Sequence, residues 1–202
     1  MGVSRQQAVE NRHAIVTTAE RLFRERGVDA VGLTELMKTA GFTHGGFYNH
    51  FKSKDALIDA VMEKAMKDGI QGFAGLFESA RSADVDPVKQ FIQWYLSPDH
   101  RANIDAGCPW SGFVGDVRRL GDLAHRAYAE GLATNLERLA KVIEQTEEIS
   151  EAGRSKAITL FSQMLGTLLL SRAVVEVDPL LSDEILNEGR EYLVRREGLA
   201  PS

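Results

Sequence analysis

Cysteine occurs once in this 202-residue sequence, at Cys108. A single thiol excludes an intrachain disulfide and fits a reducing compartment. The most apolar stretch, residues 164–170, falls well short of the ~20 residues that a membrane-crossing helix needs. No apolar run follows the basic residues near the start, so neither a secretory signal nor a membrane span is expected, and a cytoplasmic protein is. Strands with period-two alternation, internal repeats and low-complexity tracts are missing. So are a nucleophile elbow, a phosphate-binding glycine loop and a dinucleotide fingerprint. His100, Cys108 and His125 have no compact zinc spacing. No catalytic residue, metal or cofactor is therefore expected, and the chain is not expected to be an enzyme.

What remains is a composition of ordinary globular type with apolar residues at helical spacing. The net charge is -5, which is unpromising for binding nucleic acid until the chain is divided. Residues 1–55 hold eight Lys and Arg against six Asp and Glu, and residues 56–202 hold sixteen against twenty-three. Salt screens fields beyond about 8 Å, so the local balance governs attraction to phosphate. His13, His44 and His50 add to the basic end. A basic head on an acidic body is consistent with a nucleic-acid partner without establishing one.

The stretch 34–57 carries the strongest local pattern. Leu36, Met37 and Ala40 form the inner side of a short helix, and Gly41 breaks it as a residue tolerant of positive φ. Thr43 can cap a second helix over about 44–50, with Phe47 and Phe51 turned inward and Tyr48, Asn49 and His50 left on other sides. Helix, glycine turn and helix make a helix-turn-helix, whose second member enters the major groove. Before it, Ile15, Ala19, Leu22 and Phe23 stripe a helix over about 9–26 that Gly27 ends.

From Arg12 to Leu57, about a quarter of the chain, the sequence resembles the N-terminal domain of the TetR/AcrR family of bacterial transcriptional repressors. Ile15, Ala19, Leu22, Phe23, Gly27, Leu36, Ala40 and Gly41 carry the resemblance. So do Gly45, Phe47, Tyr48, His50, Phe51, Ser53, Lys54 and Leu57. The run from Gly46 to Leu57, GFYNHFKSKDAL, is its most specific part. The resemblance implies an all-α protein of about nine helices, with a DNA-binding domain at 1–53 and a ligand-binding and dimerisation domain at 54–202. It assigns phosphate contacts to Tyr48, His50 and Lys54, which suit donors that fix register without reading sequence. Thr43, His44 and Asn49 stand where base readout is expected, and Thr34 is placed to touch a neighbouring base. Gly45 matches the family, whereas Gly46 departs from it. Two glycines weaken a helix by about 1 kcal/mol each against alanine and let backbone approach DNA. Val31 and Gly32 stand where the family places Ser or Thr, so helix two is expected to lack a side-chain cap.

In the body, helices are expected over about 54–80, 87–96, 108–120, 123–145, 151–177 and 182–195, with a loop over about 100–106. Gly69, Gly72 and Gly75 admit a bend, a ligand against bare backbone, or close helix contact. Phe73, Phe77, Phe91, Trp94, Tyr95, Trp110 and Phe113, with Cys108 and Met164, are the residues that the resemblance points to for an apolar effector pocket. For any one of these rings ordinary core packing is the better explanation, and it is as a set that they suggest a hydrophobic effector. Cys108 near a helix start admits a reactive thiol or an inert buried one. The helix over 151–177 is apolar nearly all round, which demands burial on more than one side. With the helix over 182–195 it resembles the family's dimerisation pair. The implied partners are double-stranded operator DNA, a small-molecule effector and a second copy of the chain, with no membrane.

Overall fold

The computed structural model describes residues 4–196, and these form nine α-helices and two short 3-10 segments with no strand among them. The first helix, α1 (Arg5–Arg26), starts at Ser4, whose hydroxyl accepts the Gln7 amide, and ends at Gly27, where φ is +83° and the amide bonds the Phe23 carbonyl. Ile15, Val16, Ala19, Leu22 and Phe23 are its buried side. Helix α2 (Leu33–Thr39) begins at Gly32 without a side-chain cap. It closes on Gly41 at φ +84°, with the Phe42 amide bonded to the Met37 carbonyl at 2.8 Å.

The next element differs from expectation. Residues His44–Asn49 form a 3-10 segment, not an α-helix. Two of its six residues are glycine, the poorest helix formers after proline, and so short a run suits the tighter winding. Thr43 caps it by accepting the Gly46 amide at 3.3 Å. Helix α3 (Lys54–Ser82) follows, opened by Ser53, whose hydroxyl accepts the Ala56 amide at 3.1 Å.

Proline after a capping residue starts three more helices. Asp86 caps α4 (Pro87–Tyr95). Ser97 caps α5 (Pro98–Ala102), a helix where a loop was expected. Asp178 Oδ1 accepts the Leu181 amide at 3.0 Å, so α9 (Pro179–Arg196) begins three residues before the expected start at 182. The single helix expected over 108–120 is two pieces, α6 (Pro109–Phe113) and a 3-10 turn at Val117–Arg119. Helices α7 (Asp122–Glu144) and α8 (Glu151–Val174) complete the set.

The chain divides into two compact units. One joins Met1–Asp68 to Cys108–Gly131, and the other joins Gly69–Gly107 to Leu132–Ser202. In the first, Leu36, Met37, Phe47, Leu57, Val61 and Met62 pack with the buried side of α1, and Trp110 and Phe113 are buried in the same unit. In the second, α8 and α9 pair. Ser171 and Ser182 exchange bonds between each hydroxyl and the other's carbonyl, at 2.9 and 2.8 Å. A Cβ on Gly189 would lie 2.5 Å from Thr167 Cγ2, so these helices meet at bare backbone. By length and composition α8 is apolar enough to cross a bilayer, which counting only residues 164–170 did not reveal.

Two non-glycine residues among those described have left-handed backbone, Asp84 at φ +56° and Gln145 at φ +54°. Both follow long helices and line one cavity of about 560 Å³. Gln145→Gly is expected to stabilise the protein by about 0.5–1 kcal/mol, because a β-carbon is disfavoured in that region. Thermal denaturation should show it, and a lower melting temperature would mean that the Gln145 side chain contributes contacts worth more than the strain.

Candidate nucleic-acid interface

The 3-10 segment is held from beneath by aromatic packing. Phe47 is fully buried and stacks on Phe51 at 5.7 Å. The Arg12 guanidinium sits 4.6 Å from the centre of the Phe51 ring, a cation–π contact that fixes α1 against this region. With its apolar side committed downward, the segment presents Thr43, His44, Gly45, Tyr48 and Asn49 to solvent. Thr34 is exposed on α2. Tyr48 is 62% exposed, which sets aside a buried-aromatic role for it. Its ring meets His44 edge-on at 6.1 Å and Phe47 edge-on at 5.3 Å, so the phenol is oriented without being covered. His50 is half-buried beside Phe42 at 6.4 Å and takes the C-cap position of the segment.

Lys54 is more constrained than a surface lysine. Its Nζ donates to the Val28 carbonyl at 2.7 Å and lies 5.8 Å from the Phe23 ring centre. An ammonium carries three hydrogens, so this bond leaves donors for a phosphate while holding the side chain in place. Thr43 likewise spends its oxygen lone pair on the cap and keeps its hydroxyl hydrogen.

Some contributors were not singled out in the sequence. Val28 is gripped on its other side by Asp116, whose Oδ2 accepts the Val28 amide at 3.2 Å while Oδ1 accepts from Arg119 at 2.6 Å. The turn between α1 and α2 is thereby tied to the segment Cys108–Gly131. Deeper in the same unit, Glu20 accepts from Arg24 at 3.2 Å and from Lys64 at 2.8 Å. Glu20 and Arg24 stand four apart on the buried side of α1, in line with Val16. Charges at those positions were the available signal.

The nine residues proposed for an effector pocket are divided between the units. Phe73, Phe77, Phe91, Trp94, Tyr95 and Met164 belong to one, and Cys108, Trp110 and Phe113 to the other. Five of the first group form a ring cluster. Phe73 meets Phe91 at 4.9 Å, Trp94 at 5.8 Å and Tyr95 at 6.3 Å, and Phe77 meets Phe91 at 5.2 Å. Phe161 joins Phe73 at 6.4 Å, and His100 stacks on Trp94 at 4.4 Å with Nδ1 2.7 Å from the Tyr95 carbonyl oxygen. Neither Phe161 nor His100 had been assigned to the pocket. Met164 is buried. In the other unit Cys108, Trp110 and Phe113 are all buried. The Tyr128 hydroxyl donates to the Trp110 carbonyl at 3.0 Å, and burial first, then the nearby Cys108, pushes its pKa upward.

A short helix, a glycine turn and an exposed polar ridge on a buried aromatic base define a helix-turn-helix DNA-binding protein. The family model for bacterial regulatory proteins of the tetR family matches residues 15–61, the region that holds this arrangement. The repressor NemR of Escherichia coli (strain K12) is 26% identical over 176 residues, which span 85% of this chain and 88% of NemR. The regulator TtgR of Pseudomonas putida is 37% identical over 122 residues, 60% of this chain and 52% of TtgR. The crystal structure of the reduced form of E. coli NemR superposes with a TM-score of 0.74 at 22% identity, covering 92% of this chain and 96% of that one. Residues 15–61 thus match the DNA-binding domain of tetR-family regulators, and over most of its length the chain is similar to TetR/AcrR transcriptional regulators, whose members bind operator DNA and act as dimers.

Proposed function

We propose that the protein is a cytoplasmic, homodimeric repressor that leaves its operator when a small hydrophobic or aromatic effector binds the body. The exposed ridge of Thr43, His44, Tyr48 and Asn49 over buried Phe47 carries this reading. In it, Tyr48, His50 and Lys54 hold phosphates and Thr34, Thr43, His44 and Asn49 meet bases. Helices α8 and α9 expose Ile158, Leu170, Leu180, Leu181 and Tyr192, apolar surface that a second copy would cover in a four-helix bundle. Two 3-10 segments then enter grooves about 34–36 Å apart, or a multiple of that, on near-palindromic DNA. The ring cluster around Phe73 supplies apolar surface for the effector. The effector acts only through unequal affinity for the bound and released states.

Fluorescence anisotropy against DNA from upstream of the protein's own gene, beside a scrambled duplex, tests the reading. Binding is expected to the native fragment alone and to weaken steeply with salt. Equal weak binding to both duplexes would sink it. A second reading is gating by modification of Cys108, the residue at the N-cap of α6, which would have to be reached in a buried position. An unchanged effector response in Cys108→Ser would remove it.

A further inference from the structure

Gly46 has no structural reason to be glycine. Positive φ among the described glycines occurs at Gly27 and Gly41 only. A Cβ added at Gly46 would meet only Thr43 Oγ1, at an ordinary 3.5 Å, and one added at Gly45 would meet nothing within 4 Å. Alanine therefore fits at 46 without strain, and a helical segment holds alanine better than glycine. The fold forgoes that stability at a half-buried position of the segment.

The 3-10 winding shows what the bare position faces. Three residues make one turn, so side chains three apart lie one above the other. Gly46 lies in line with Asn49, as Gly45 does with Tyr48. Beside the exposed Asn49 amide the chain thus leaves a notch one methyl group deep. In the major groove only thymine presents a methyl, at C5, and a side-chain amide pairs in bidentate fashion with adenine N6 and N7.

We infer that Gly46 and Asn49 together form a reading slot for an A·T step, in which Asn49 bonds adenine and a thymine methyl seats against the bare Cα of Gly46. The inference rests on the DNA-binding reading above and adds the base step and the residue that selects it. It also gives Gly46, where the family pattern is not followed, a specificity role of its own.

The test uses the full-length protein and the duplex that it selects from random-sequence DNA. Gly46→Ala is expected to raise the melting temperature by roughly 2–4 °C while weakening binding to that duplex at least about tenfold. Replacing one particular thymine with deoxyuridine, which removes the methyl that the added Cβ displaces, should recover much of the lost affinity in Gly46→Ala. Replacing one adenine with 7-deazaadenine should weaken the wild type on the order of tenfold and leave Asn49→Ala unchanged. Wild-type affinity in Gly46→Ala would overturn the slot. Weakened binding that no deoxyuridine relieves would overturn the thymine assignment. Failure of the wild type to select any sequence would instead overturn the DNA-binding reading, and the slot with it.

Discussion

Replacing Glu20 with alanine is expected to destabilise the protein by about 3–5 kcal/mol, the usual cost of removing one partner from a buried ion pair. Glu20 is 8% exposed and Arg24 is 7% exposed. The two oxygens of Glu20 are divided between Arg24 at 3.2 Å and Lys64 at 2.8 Å. Removing the carboxylate deprives two cations of one acceptor, in a site where water is scarce. Burial lowers the Lys64 pKa, but its bonds to Asp68 and Glu20 outweigh that and leave the pKa above the ordinary lysine value. A raised lysine pKa gives stability that is complete below the unfolded value and is lost as pH rises through the folded one. The contribution of Lys64 is therefore complete at neutral pH and is lost in strong alkali. Glu20→Gln keeps hydrogen-bond acceptance and should cost distinctly less. Urea unfolding at pH 7 measures both. A loss below about 1 kcal/mol for Glu20→Ala would mean that the network is worth no more than a surface pair.

The second large effect is expected at Asp116. This carboxylate is buried, accepts the Val28 amide and pairs with Arg119. Alanine there leaves a buried backbone donor without its acceptor and removes a charged hydrogen bond. The expected loss is about 2–3 kcal/mol. Val28 lies in the turn that sets α2 against α1, and Lys54 holds the same residue through its carbonyl. Folded Asp116→Ala protein should accordingly bind operator DNA more weakly, on the order of tenfold, because a recognition element needs its supporting contacts to hold position. Asp116→Asn retains an acceptor for the amide and should fall between. Unfolding curves and anisotropy titrations on the same samples separate the two effects. Unaltered affinity in the folded fraction would make Asp116 a stability residue alone.

Helices were legible in the sequence wherever an apolar stripe was long enough, as with Ile15, Ala19, Leu22 and Phe23. The helix-turn-helix was legible because its turn glycine, cap and inward aromatics have fixed spacing. The 3-10 winding of residues His44–Asn49 was not, although Gly45 and Gly46 had already weakened the case for an α-helix. Helix α5 was not expected, since a proline just after the helix over 87–96 marks a stop as readily as a start. The rule that Asp86-Pro87 opens α4 applies equally to Ser97-Pro98 and to Asp178-Pro179. The division of the effector residues between two units was beyond local pattern. Nothing in the spacing of Cys108, Trp110 and Phe113 states that they pack in the unit of α1. That fact lives in long-range contacts such as Asp116 to Val28, which are 88 residues apart.

That long-range contact bears on modularity. A DNA-reading head that ended at residue 53 could be moved between regulators as a cassette, and new specificities would spread by exchange at one border. Here the unit of the head also needs Asp116 from a stretch that begins at Cys108 and runs into α7. A graft cut at the motif border would leave behind the carboxylate that caps its first turn. A transplanted head is therefore expected to need the stretch from Cys108 to Gly131 with it.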